Sequence, residues 1–86
     1  MKPSIGCIVL YTLGKYDAET IQSRRAEAGT VGNTVREGDV FPAVVVRTWV
    51  GGSINAQVLL DGPDSFWACS RDEGDRPGTW SWPQRT

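Results

Sequence analysis

Histidine is absent from this chain of 86 residues, and with it go the commonest general base, the usual nucleophilic triads and dyads, and nearly all zinc sites built on imidazole. Cysteine is almost absent as well. Cys7 and Cys69 are the only thiols, they stand far outside C-x-x-C spacing, and two thiols cannot enclose a metal. There is no surplus of one charge: nine basic against ten acidic residues leave a net charge of -1. The long-range field that drives non-specific nucleic-acid binding is therefore missing, which argues against a nucleic-acid partner. Phosphate-binding loops, the nucleophile elbow, the dinucleotide fingerprint and the calcium-binding loop all lack their motifs. No cofactor or metal is expected, and catalysis is the least favoured class of function. No apolar run reaches the length of a signal peptide or a membrane span, and the start Met1-Lys2-Pro3-Ser4-Ile5-Gly6 reads as untargeted. Both thiols are accordingly expected to be buried and reduced, in a cytoplasmic protein that does not engage a membrane.

What is present has ordinary globular composition, 40% hydrophobic and 22% charged. A chain this short supports one thin core, so any site is expected on a surface or between subunits. From Ile5 to Leu13 apolar residues occupy both alternating sets, which reads as a strand covered on both sides for part of its length. A helix is predicted from Asp17, taken as N-cap, through Ala28, with Tyr16 and Ile21 as a hydrophobic staple and Gly29 past its end. Its apolar face is poor, so the helix is expected on the surface, inside an insertion spanning 15–35, with Arg24 and Arg25 on a solvated face. Val40 to Val50 reads as the longest strand, with Pro42 where no ladder N–H is needed. Gly51 to Asn55 reads as a hairpin turn, Ala56 to Leu60 as the return strand, Ser65 to Arg71 as the fourth strand and Thr79 to Trp82 as the last. Five short antiparallel strands close best into a small barrel that hides its edges. The fold class is therefore mostly β: one domain, 1–86, an SH3-like barrel with a surface helix inserted between the first two strands. An OB-like barrel is second choice, because its helix would fall between the third and fourth strands, where only turn residues stand.

Four tryptophans in so small a chain invite a functional reading. Trp67 and Trp80 read first as core, while Trp49 and Trp82, near strand ends beside glycine and proline, read as half exposed. Arg47 lies two residues from Trp49, hence on the same strand face, and Arg71 ends the fourth strand. An arginine against an indole can hold an anionic or planar group, and the competing reading pairs such arginines with Asp61, Glu73 or another surface carboxylate. Arg47, Trp49, Arg71, Trp80 and Trp82 are the candidate binding residues. The acidic residues Asp61, Asp64, Asp72, Glu73 and Asp75 read as turn and loop formers.

Four stretches carry a resemblance: Pro3 to Tyr11; Phe41-Pro42-Ala43-Val44-Val45-Val46-Arg47 with Trp49; Gln57-Val58-Leu59-Leu60-Asp61-Gly62; and Pro77-Gly78-Thr79-Trp80-Ser81-Trp82-Pro83. Together they resemble a family of small proteins of unassigned function from tailed bacteriophages and prophages. The likeness spans most of the chain outside 15–35, and its Pro-Gly-Thr-Trp-x-Trp-Pro ending is its most specific part. Relatives in that family often carry a basic residue and a histidine in the first strand and a histidine between the last two tryptophans; Cys7, Leu10 and Ser81 stand there instead. The resemblance implies a viral protein expressed in the cytoplasm of a bacterial host. The function expected is a non-enzymatic accessory protein that binds a host or phage protein through an aromatic and arginine surface. The alternative is a homo-oligomer that sequesters a nucleotide-like signal of antiviral defence, with Arg47, Arg71, Trp49 and Trp82 in its pocket.

Overall fold

A computed structural model describes residues 2–84. Five strands and one helix follow in the order β1 (Ile8–Thr12), α1 (Lys15–Ala28), β2 (Val40–Thr48), β3 (Ile54–Leu59), β4 (Ser65–Arg71) and β5 (Trp80–Ser81). The strands form one antiparallel sheet in the order β4-β3-β2-β1-β5. It curls into a half-barrel with the helix between the first two strands, as a small SH3-like barrel does and an OB-like barrel does not. The curl closes at one end only, where Trp80 donates its N–H to the Asp72 carbonyl (3.1 Å) and accepts from the Gly74 N–H (2.9 Å). No helix among the described residues is long and apolar enough to cross a membrane.

Alternation along the strands decides which side chains enter the core. Val9 and Tyr11 of β1, Ala43 and Val45 of β2, Ile54, Ala56 and Val58 of β3, and Phe66 and Ala68 of β4 point inward and are buried, together with Trp80. Val45 turns its N–H to β1, so by alternation Pro42, opposite Leu10, turns its nitrogen to the β3 side, where the ladder begins only at Ala43 and no bond is lost. The hairpin turn between β2 and β3 needs two left-handed residues, and Gly51 and Gly52 (φ 101° and 96°) supply them. β3 starts at Ile54, two residues earlier than its sequence suggests, because Ile54 is a core residue paired with Thr48.

The helix differs from its expected form at both ends of its role. Gly14 is its N-cap, and Asp17 sits three residues on, where its Oδ2 accepts from the Gly14 N–H at 2.8 Å. Ala18 and Ile21 enter the same core cluster as the strands. Arg25, expected on a solvated face, is only 6% exposed. Its guanidinium holds the Asp64 carboxylate through Nε (2.9 Å) and Nη2 (3.0 Å) and donates from Nη1 to the Asn33 carbonyl (2.6 Å). The insertion is thus pinned to the β3–β4 turn by a bidentate ion pair.

Candidate functional site

The β2–β3 corner gathers two of the expected binding residues. A bulge between Val45 and Arg47 leaves Val46 unpaired and sets Arg47 opposite Asn55, on the outer side of the sheet. Beyond it, the Trp49 N–H donates to the Ser53 carbonyl (2.8 Å) and the Gly52 N–H to the Trp49 carbonyl (3.1 Å), which fixes the backbone of the turn. The indole is fixed too. Its Nε1 donates to Asn55 Oδ1 at 3.0 Å, and the same oxygen accepts the Ser70 N–H at 2.7 Å. The Arg47 guanidinium stands 4.7 Å from the Trp49 ring centroid, within cation–π range. Among the described residues neither Arg47 nor Lys2 pairs with a carboxylate. An open groove of about 600 Å³ runs beside the indole between the Lys2-Pro3 segment and the turn. Val50, which lines it, stands wholly in solvent. A held aromatic, an exposed aliphatic side chain and two uncommitted cations thus share one end of the barrel.

Arg71 lies elsewhere. Paired with the core residue Ile54 across the ladder, it turns to the inner side of the sheet, the opposite side from Arg47. Its partner is neither Asp61 nor Glu73: Nη2 donates to Asp17 Oδ1 at 3.0 Å, and the guanidinium stands 5.6 Å from the Tyr11 ring centroid. The 5% exposed Asp17 carboxylate also accepts the Tyr11 hydroxyl at 2.5 Å. Burial, followed by the hydrogen bond to Asp17, pushes the Tyr11 hydroxyl well above its ordinary pKa, so the phenol keeps its proton. A shallow depression of about 400 Å³ borders this cluster, lined in part by Gly14, Lys15, Glu37 and Gly78. Both oxygens of the Asp17 carboxylate are taken, Oδ1 by Arg71 and Oδ2 by Tyr11 and Gly14, which marks the cluster as structural. The same holds for Arg25 and Asp64. Their hydrogen bond is the chief reason the carboxyl titrates below its usual range and the guanidinium above its own.

Trp80, Trp49 and Trp82 are exposed to the extent expected, and Trp67 is not. Trp80 is 1% exposed, so it is a core residue and presents no surface to a partner. Trp82 packs edge-on against it (centroids 5.4 Å apart, planes at 86°) and is itself partly buried. Trp67, expected in the core, is 43% exposed. The reason is parity: Phe66 and Ala68 face inward, so Trp67 between them must face out.

On that outer side Ile8, Val44, Gln57 and Trp67 are successive cross-strand neighbours over four strands. Ile8, Val40, Val46, Leu59 and Trp67 are all exposed. Together they leave on the order of 400 Å² of apolar side chain in water, the size at which a patch on a monomer is often functional. The expected covering of β1 on both sides is therefore absent among the described residues. The apolar residues of both strand sets were the signal for this face, but they were assigned to a second covering layer.

The cysteines are free, as expected, but not buried: Cys7 is half-buried and Cys69 exposed on the outer side. The hydrogen bond between the Ser4 hydroxyl and the Cys7 sulfur is the main influence lowering the thiol pKa. Among the acidic residues, Asp61 accepts from the Asn33 amide (2.8 Å) and Asp64 holds Arg25, and no cluster of three potential metal ligands occurs among the described residues. Compared with known proteins, the chain matches no family model, no curated protein and no solved structure.

Proposed function

We propose that this chain is a non-enzymatic binding module that engages a protein through the β2–β3 corner, where Arg47 and Trp49 form one contact surface. The observation that carries the reading is Arg47 itself: a guanidinium stacked on a locked indole, beside an open groove, with no carboxylate among the described residues to satisfy it. Arginine and tryptophan are the residues most often found to dominate protein interfaces, and a fixed indole loses little freedom on binding. The groove with Lys2 and the exposed Val50 suits a segment that carries both an acidic and an apolar side chain. The resemblance to small phage proteins supports a host or phage protein as that partner, in the cytoplasm of an infected bacterium. The position of Arg71, on the inner side and engaged by Asp17, favours this reading over a nucleotide-sequestering pocket built jointly from Arg47 and Arg71.

A photo-crosslinking residue placed at Val50, with a control at Glu27 on the helix, tests it in bacterial cells. The expected result is a discrete adduct with a different protein from position 50 alone, reduced at least tenfold by Arg47→Glu. No adduct, or the same set of adducts from both positions, would overturn the assignment.

A further inference from the structure

The two edges of the sheet are unequal. β5 is two residues long and Pro83 follows it closely, which blunts that edge against further pairing. β4 is seven residues long, and its second side faces no other strand from Ser65 to Cys69 among the described residues. It carries none of the usual protections over that stretch: Ser65, Phe66, Trp67, Ala68 and Cys69 include no charge and no proline. We propose that β4 pairs antiparallel with β4 of a second copy of this chain, about a twofold axis passing through Trp67.

The stretch is self-complementary in that register. Trp67 meets its own copy, Ser65 meets Cys69 on the outer side, and Phe66 meets Ala68 on the inner side, so a large side chain faces a small one. Shifting the axis by one residue toward the turn would bring the Asp64 charge into the seam. A shift the other way would bring in Ser70, whose left-handed backbone (φ 57°) sits at the bulge of the β3–β4 ladder and departs from regular strand geometry. Like meets like at a twofold contact, so a charged edge would repel itself; this one is neutral, and a net charge of -1 per chain adds little repulsion between copies. Pairing would cover the exposed sides of Trp67 and of Leu59, the neighbour of Ser65 on β3, and would join the two apolar outer faces into one. The convex curl of the half-barrel prevents those faces from packing squarely on each other, which leaves the edge as the contact that fits a second copy. Arg47 and Trp49 lie outside the seam, so the two assignments succeed or fail separately.

Mass measurement by light scattering and disulfide trapping decide the matter. At tens of micromolar the wild type is expected to run at twice the chain mass, and Trp67→Lys, an exchange at an exposed position, to run at the chain mass with an unchanged far-ultraviolet spectrum. In a Cys7→Ser background, Ser65→Cys places a new thiol opposite Cys69 of the second copy. Within one chain the two positions are about 13 Å apart, too far to bond. Mild oxidation is expected to give a covalent dimer with two disulfides, each linking position 65 of one chain to Cys69 of the other. A wild-type mass equal to one chain would overturn the proposal, as would a Cys69–Cys69 link or failure of the variant to cross-link.

Discussion

Replacing Asp17 by alanine removes one carboxylate and leaves three donors without it: the Tyr11 hydroxyl, the Gly14 N–H and the Arg71 guanidinium. The carboxylate is almost wholly buried, whereas the Arg71 side chain is 30% exposed and can turn toward water. The loss therefore falls mainly on the phenol and on the helix cap, and about 3–5 kcal/mol is expected, the range for breaking a buried charged pair from one side. A domain of this length has a total stability of only about 4–13 kcal/mol, so the variant would lie close to unfolding at room temperature. Urea titration followed by tryptophan fluorescence measures the loss. With a slope near 1 kcal/mol per molar urea, the midpoint should fall by about 3 M or more. Tyr11→Phe removes one donor and keeps the other two satisfied, so it should cost about half as much. A loss below about 1 kcal/mol for Asp17→Ala would refute the view that this carboxylate anchors the helix to the sheet.

Two further outcomes follow from groups already described. Asp64→Asn should cost about 2 kcal/mol at pH 7, because it removes the charge and replaces one of the two oxygens that accept from Arg25 by a donor. The native carboxyl titrates below its unfolded value near 3.9, so its contribution is complete above that value and is lost as pH falls through the lower folded one. Urea titrations of both proteins should thus converge as pH falls below about 4, and a difference that stays constant on acidification would contradict the ion pair. For the thiols, native alkylation followed by mass spectrometry should modify both Cys7 and Cys69, and Ser4→Ala should slow Cys7 selectively near neutral pH by returning its thiol toward the ordinary pKa. An unchanged Cys7 rate would remove the Ser4 hydrogen bond as a cause.

Much of the fold was legible because strand signals are local. The valines of β2, the glycine pair after it and the run Ser65 to Arg71 announce themselves within a few residues, and β4 has the bounds its sequence suggests. Arg25 was not legible. Its burial depends on Asp64, 39 residues away, and the weak apolar face of α1 gave no hint that a charged residue would be its anchor. Asp17 was read as a cap by residue type, whereas Gly14 holds that place and Asp17 serves from the third helical position. The corner site was legible in Arg47 and Trp49, since two-residue spacing on a strand places both on one side. Trp80 lies in the core as its sequence suggests, but Trp67 does not, because tryptophan content alone does not fix facing. Phe66 and Ala68 settle it for Trp67, and pairing with Tyr11 settles it for Trp80. The bare outer side was legible as apolar residues but not as exposed ones, because nothing local tells a covered sheet face from an open one.

The two arginine–aspartate pairs that hold α1 also set an order of events while the chain is being made. Asp17 and Arg25 leave the ribosome early, but Asp64 and Arg71 come 39 and 54 residues after their respective partners. A 14-residue helix with few apolar contacts is marginal by itself in water. Until the second half of the chain has emerged, the nascent segment has two buried-to-be charges and nothing to bury them with, so the helix becomes permanent only when the barrel does.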